Sequence, residues 1–150
     1  MELTMNAKTI PATSTSTAST GSRARVWTGR TLSALATLFL LFDSTGKLLR
    51  LAPVIKGTGE LGYPLSAIVP IGVVLLACTI LYLIPRTAIV GAVLLTGFLG
   101  GAVASQVRVG NPLFSHVLFP TYMAALIWGG LYLRDARVRA LLAPRRPEAR

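Results

Sequence analysis

Four stretches dense in Leu, Ile, Val, Ala and Phe divide this chain, each bounded by charged residues, prolines or polar turns. The first opens near Val26 and Trp27, runs through residues 32–42, meets Asp43 and Lys47, and resumes with Leu48, Leu49 and Leu51. Two registers suit it. If hydrocarbon begins at Val26, an apolar run of about 17 residues just spans a bilayer and Asp43 sits at the far interface. If Arg30 marks the near surface, a helix from Thr31 places Asp43 roughly 18 Å deep at 1.5 Å per residue. An intermediate register, with a helix continuous to about Arg50, puts Asp43 and Lys47 in the outer third, facing protein.

Pro53 can open a short helix at its first turn, with Val54, Ile55, Thr58 and Leu61 on one face before Gly62 and Pro64 end it. That pattern predicts an interfacial element. The second span is expected over about 65–84, with Pro70 and Gly72 near its start and Pro85 and Arg86 as the turn. The third is expected over about 87–106. After a loop at 107–115 the fourth runs over about 116–133, with Pro120 at its entrance and Trp128 and Tyr132 suited to an interfacial belt. The expected fold is therefore all-α, a four-transmembrane-helix bundle with a short interfacial helix after the first span. A Ser/Thr-rich tail at 1–24, too poor in apolar area to order itself, precedes the domain at 25–134, and a basic cytoplasmic tail at 135–150 follows it.

Composition strengthens this picture. Hydrophobic residues make up 53% of the 150, charged residues 13%, and the mean hydropathy is +0.64, more than one soluble core of this size could hide. The net charge of +10 could suggest nucleic acid, but the basic residues cluster at the ends of apolar stretches, as membrane topology requires, and the aromatic and folded-domain context of nucleic-acid binding is missing. Eleven of the 15 Lys and Arg fall on one side of the expected spans: Lys8, Arg23, Arg25, Arg30, Arg86, Arg134, Arg137, Arg139, Arg145, Arg146 and Arg150. Lys47, Arg50, Lys56 and Arg108 fall on the other. Positive charge stays inside, so the chain is expected in the cell membrane with both termini cytoplasmic. No apolar stretch follows a basic start before Leu32, so the first span reads as an uncleaved signal anchor.

Lipid tails are as apolar as leucine, so helices in a bilayer associate through close backbone approach or polar contacts. Gly97, Gly101 and Ser105 recur every fourth residue in the third span, Gly100 and Ala104 form a neighbouring row, and Gly91 extends the pattern; Ala125 and Gly129 have the same spacing in the fourth. These rows predict the tightest packing within the bundle, with homodimerisation as the other use of such a face.

Polar groups concentrate in the outer half: Asp43, Lys47, Glu60, Tyr63, Gln106, Arg108, Asn111 and His116. A lone ionised side chain near mid-helix costs roughly 2.5–3.5 kcal/mol on insertion scales, so Asp43 and Lys47, four residues apart with the acid first, should pair. The pair can be a structural bridge or, with Glu60, Gln106, Arg108 and His116, the polar wall of a site for a head group, quinone or small substrate. Lys56 and Glu60 read as a solvated pair. Cys78 is the only cysteine and excludes an internal disulfide. His116 is the only histidine and cannot supply both ligands of a bis-histidine haem, and no metal-ligand spacing occurs. No nucleophile with a base, and no glycine loop after a strand, can be identified.

The chain resembles the DoxX-like group of small bacterial four-helix membrane proteins. The resemblance rests on Phe42-Asp43-Ser44-Thr45-Gly46-Lys47-Leu48-Leu49, Glu60-Leu61-Gly62-Tyr63-Pro64, Leu81-Tyr82-Leu83-Ile84-Pro85-Arg86-Thr87-Ala88, Gly91, the run from Leu95 to Ala104, and Leu131-Tyr132-Leu133-Arg134-Asp135. It covers about residues 27–142. Relatives in the wider group are associated with membrane redox systems, including a small subunit of a thiosulfate to quinone oxidoreductase, with methylamine utilisation, or with oxidative-stress complexes. The resemblance implies a non-catalytic membrane subunit or scaffold of a partner complex, redox-linked through a membrane or soluble partner protein. The alternatives are a quinone-binding oxidoreductase component and a small-molecule permease. It supplies no catalytic residue and no assigned cofactor, quinone being the one class it brings into view.

Overall fold

The computed structural model describes residues 18–142 and, for side chains, residues 23–141. Six α-helices follow one another among the described residues: α1 (Ala18–Leu48), α2 (Ala52–Glu60), α3 (Ile68–Leu83), α4 (Ala88–Arg108), α5 (Phe119–Arg134) and α6 (Ala136–Leu142). No strand occurs among the described residues. A single 3-10 turn at Leu65–Ala67 leads into α3, and a wide π-type turn at Leu113–Val117 leads into α5. The fourth apolar helix therefore starts three residues later than the expected 116. Residues 1–17 and 143–150 of the two expected tails lie outside the described residues. Within the first tail, however, α1 already begins at Ala18, because extending a helix anchored by packing adds a hydrogen bond per residue without a new nucleus.

Each helix ends for a local reason. α1 stops in a Schellman turn: the Leu51 N–H donates to the Gly46 carbonyl at 3.0 Å and the Arg50 N–H to that of Lys47 at 3.3 Å, with Arg50 left-handed at φ +50°. The chain then turns by 91° into α2. Gly62, at φ +77°, ends the connection out of α2. Ile84 is extended (φ −75°, ψ 119°) because Pro85 follows it, which breaks α3 there.

α1 packs on α3 and α5, α3 on α4, and α4 on α5, closing a ring of four long helices. Its core holds Ala36, Leu40, Leu75, Tyr82, Ala92, Leu95, Met123, Ile127 and Leu131, and Val138 of α6 plugs one end. Leu38, Phe42, Val73, Val74, Val90, Val93 and Phe114 face outward and are exposed. Apolar residues both inside and outside mark helices solvated by lipid. By length and composition, Leu65–Leu83, Ala88–Arg108 and Leu113–Arg134 are each able to cross a membrane, and α1 joins them as a fourth only when taken with α2. The 21 residues of α4 rise about 31 Å, the hydrocarbon thickness of a bilayer.

The closest helix approaches are not those expected from the glycine rows. Gly97, Gly100 and Gly101 face open space: a Cβ added at any of them meets no atom within 4 Å beyond its own helix. At Gly129 the nearest atom is the Leu32 Cδ1 at 4.0 Å, and Ala125 is exposed. Of that set only Gly91 is in tight contact, against the α3 backbone at Leu81 and Tyr82. The other close crossings use glycines outside the rows. Gly29 and Gly130 meet where α1 crosses α5, and Gly72 lies against Ser44 and Lys47 where α3 crosses α1. The reason is the face α4 presents. Ala88, Ala92, Leu95 and Leu99 are buried at alternating spacings of four and three, and a stripe with that period leaves 97, 100 and 101 off the seam.

Trp128 has a polar partner on α4. Its indole N–H donates to the Thr96 hydroxyl at 2.9 Å, and Thr96 in turn donates to the Ala92 carbonyl at 2.8 Å. Thr96 lies about 12 Å along α4 from Ala88. The bond ties α5 to α4 and satisfies the indole N–H.

Candidate functional site

A cavity of about 650 Å³ opens at the end of the ring where α1 bends into α2. α2 crosses above it, because Val54, Gly57, Thr58 and Leu61 share the face that turns inward. Thr58 is buried and Lys56 and Glu60 point outward. Below, Phe39 and Leu40 of α1, Phe98 and Leu99 of α4, and Phe119 and Met123 of α5 make an apolar floor. Phe39 and Phe119 meet edge to face with centroids 5.1 Å apart. The outward glycines find their place here: Gly97 and Gly101 contribute no side chain to the α4 wall, and the cavity extends over them.

The polar groups gather at the rim. Asp43 and Lys47 form an ion pair one helical turn apart, with Lys47 the more buried partner at 14% exposure against 31%. Tyr63 reaches across from the α2–α3 connection, its hydroxyl 2.7 Å from Ser105 Oγ. Ser105 spends its only hydroxyl proton on the Gly101 carbonyl at 2.9 Å, so Tyr63 is the donor in that pair. Gln106 accepts from the Asn111 amide through Oε1, which leaves its own N–H₂ free to donate. Arg108 donates to the Leu61 carbonyl and lies 6.0 Å over the Tyr63 ring, tying the α2 connection to the end of α4.

Of the residues singled out from sequence, Asp43, Lys47 and Gln106 line one cavity, and Arg108 stands behind Tyr63 as a strut. Glu60 and His116 are exposed and not part of the lining. His116 sits in the π-type turn, its Nδ1 2.7 Å from the Ser115 hydroxyl. Ser105 was legible only as a small packing residue, and the aromatic floor only as apolar sequence. Among the described residues no group of three or more His, Cys, Asp or Glu is placed to hold a metal ion.

A cavity of this size, mostly apolar with convergent polar groups at one end, has the build of a small-molecule site. A quinone ring fits its donor set. Lys47 and Gln106 offer polar hydrogens toward ring oxygens at the rim, and the phenylalanines offer apolar walls below.

Comparison of the chain with curated proteins and with solved structures yields no match. Residues 31–130, two thirds of the chain and nearly all of the four-helix ring, match the family model described as the DoxX-like family, and the chain belongs to that family.

Proposed function

We propose that this DoxX-like chain is a non-catalytic, multi-pass subunit of a membrane complex whose outer cavity holds an amphipathic small molecule, with quinones the best-fitting class. The observation that carries the reading is the 650 Å³ cavity itself, apolar in its floor and polar at its rim. A bound quinone would supply two-electron redox chemistry, and the electrons would have to come from a partner protein. The residues of this chain would bind and orient the ring: Gln106 from one side, the Asp43–Lys47 pair from the other. A direct oxidoreductase role is the second reading, favoured by the same donors. A permease is disfavoured, because the apolar core of Leu40, Leu75, Leu95 and Ile127 stands between the polar groups of the two ends.

The reading includes four spans with both termini cytoplasmic. α1 is held against its neighbours from the Gly29 crossing to the Ser44 crossing, 15 residues or about 22 Å of helix, which supports its crossing the bilayer with α2 lying in the interface. Arg23, Arg25, Arg30, Arg86, Arg134, Arg137 and Arg139 share the end opposite the cavity, which supports placing that end inside. A cysteine replacing Lys56 should then react with a membrane-impermeant maleimide from outside, and one replacing Arg139 should not; the reverse pattern would overturn the orientation.

Ligand binding is tested through Gly101. Since a Cβ there meets open space, Gly101→Phe should fold normally and fill the cavity. Protein purified in mild detergent should carry quinone detectable by mass spectrometry, and Gly101→Phe should lose it. A wild-type protein free of quinone and of any other amphipathic molecule would sink the proposal.

A further inference from the structure

The opposite end of the ring holds a second, smaller cavity of about 240 Å³, between the start of α1, the α3–α4 turn and the end of α5. Arg30, Arg134 and Asp135 line it, with Pro85 and Ala88 as its apolar edge. The Gly29–Gly130 crossing creates it: a Cβ on Gly29 would lie 2.9 Å from the Arg134 backbone nitrogen, so α1 and α5 approach closely enough to set Arg30 and Arg134 at one level.

Two like charges brought together this way need an anion. Asp135 does not serve both. Arg137 holds its carboxylate through contacts at 3.1 and 3.3 Å, and the Arg137 guanidinium also donates to the Pro85 carbonyl at 2.6 Å. Arg134 adds only a weaker Coulombic pull on that carboxylate. One carboxylate, already held by Arg137, is thus the only acidic group in a lining that contains Arg30 and Arg134. Neither Arg30 nor Arg134 has an ion-pair partner among the described residues. Arg134 is nonetheless held in place, its guanidinium 5.0 Å over the ring of fully buried Tyr82. Arg30 lies 5.9 Å over Trp27. Two guanidiniums without an ion-pair partner among the described residues, beside a cavity several times the ~30 Å³ of one water, form a receptor for a tetrahedral oxyanion, which guanidinium forks bind bidentately.

The geometry points to a phosphate-binding site made by Arg30 and Arg134 at the basic end of the ring, with the head group of an anionic phospholipid as the source nearest to hand. This site is separate from the outer cavity and stands whether or not that cavity binds a quinone. Arg30 and Arg134 bind the phosphate oxygens, Arg137 and Asp135 fix the end of α5 beside it, and the apolar edge meets the start of the acyl region.

The test uses the full chain in phosphatidylcholine vesicles doped with phosphatidylglycerol, followed by native mass spectrometry of retained lipid. Phosphatidylglycerol should be retained by the wild type and reduced about fivefold by either Arg30→Gln or Arg134→Gln. Arg23→Gln, on an exposed position of the same helix, should retain it. Arg30→Lys keeps the charge and the topology signal, and should recover most of the binding. A parallel arm adds inorganic phosphate: displacement of the lipid identifies free phosphate as an equal source for the same site, and no displacement assigns the site to lipid. Retention that is unchanged in Arg30→Gln and Arg134→Gln, or reduced equally by Arg23→Gln, would overturn the site.

Discussion

An alanine at Gly91 and an alanine at Gly97 put the same methyl on the same helix, six residues apart, and should have opposite effects. At Gly91 the new Cβ would lie 2.6 Å from the Tyr82 Cα and 2.7 Å from the Leu81 carbonyl carbon, where carbons ordinarily rest about 3.5–4.0 Å apart. Both neighbours are backbone, so no rotamer change relieves the clash and α3 and α4 must part by about 1 Å. A gap of that size forfeits a quarter to a half of each dispersion well. If the crossing carries as many atom pairs as one buried leucine, about 50 at about 0.15 kcal/mol each, the loss is about 2–4 kcal/mol. Gly97→Ala meets nothing within 4 Å and keeps only the propensity gain of alanine over glycine, up to ~1 kcal/mol. That gain is common to both variants, so their difference isolates the packing loss. Unfolding in mixed micelles by SDS titration, followed by helical circular dichroism, should show Gly91→Ala less stable than Gly97→Ala by about 2–4 kcal/mol. A difference near zero would refute the placement of the α3–α4 crossing and return the small-residue row to a packing role within the chain.

Tyr82→Phe removes the hydroxyl that bonds Ser33 at 2.9 Å and the Ile127 carbonyl at 3.1 Å. It should cost about 1 kcal/mol, the scale of hydrogen bonds between membrane helices, and a double-mutant cycle with Ser33→Ala should show the two losses overlapping; fully additive losses would deny the bond. Asp43→Ala strands Lys47 at the rim and should destabilise by ~2 kcal/mol, more than the Asp43→Ala/Lys47→Ala double variant, because the lone charge rather than the missing bridge is the larger penalty. Equal stability of the two in the same SDS titration would place both groups in water. The hydrogen bond from Arg137 holds the Asp135 carboxyl below its ordinary 3.8. A lowered folded-state pKa contributes stability that is complete above the ordinary value and lost as pH falls through the depressed one. Hydrogen exchange in α6 should therefore rise only below about pH 4, and Asp135→Asn should show raised exchange at neutral pH; an α6 already open at neutral pH in the wild type would contradict this.

The apolar helices were legible because their hydropathy leaves few alternatives: the Pro85 break and the Pro53 start follow from proline geometry and recur in the fold. The end of the first helix near Arg50 was legible too, but not its form, since a Schellman turn usually announces itself with glycine and here an arginine takes the left-handed position. Small residues alone could not tell a packed face from a cavity wall. Gly97 and Gly101 have the spacing of a helix interface, yet the buried stripe through Ala88, Ala92, Leu95 and Leu99 rotates them away from α3 and α5. The Asp43–Lys47 pair follows from spacing on one helix. Tyr63 and Ser105, 42 residues apart, meet only through the tertiary fold, and nothing local to either residue indicates the other. His116 shows the converse, since nearness in sequence to the last span did not turn it toward the cavity.

The crossing of Gly29 with Gly130 joins points separated by about 100 residues. A chain that stops before Phe119 lacks the α5 surface that covers Gly29 and Ser33. The ring is therefore closed by the last long helix to be made, and the tightest seam of the first helix exists only in a chain that extends through α5.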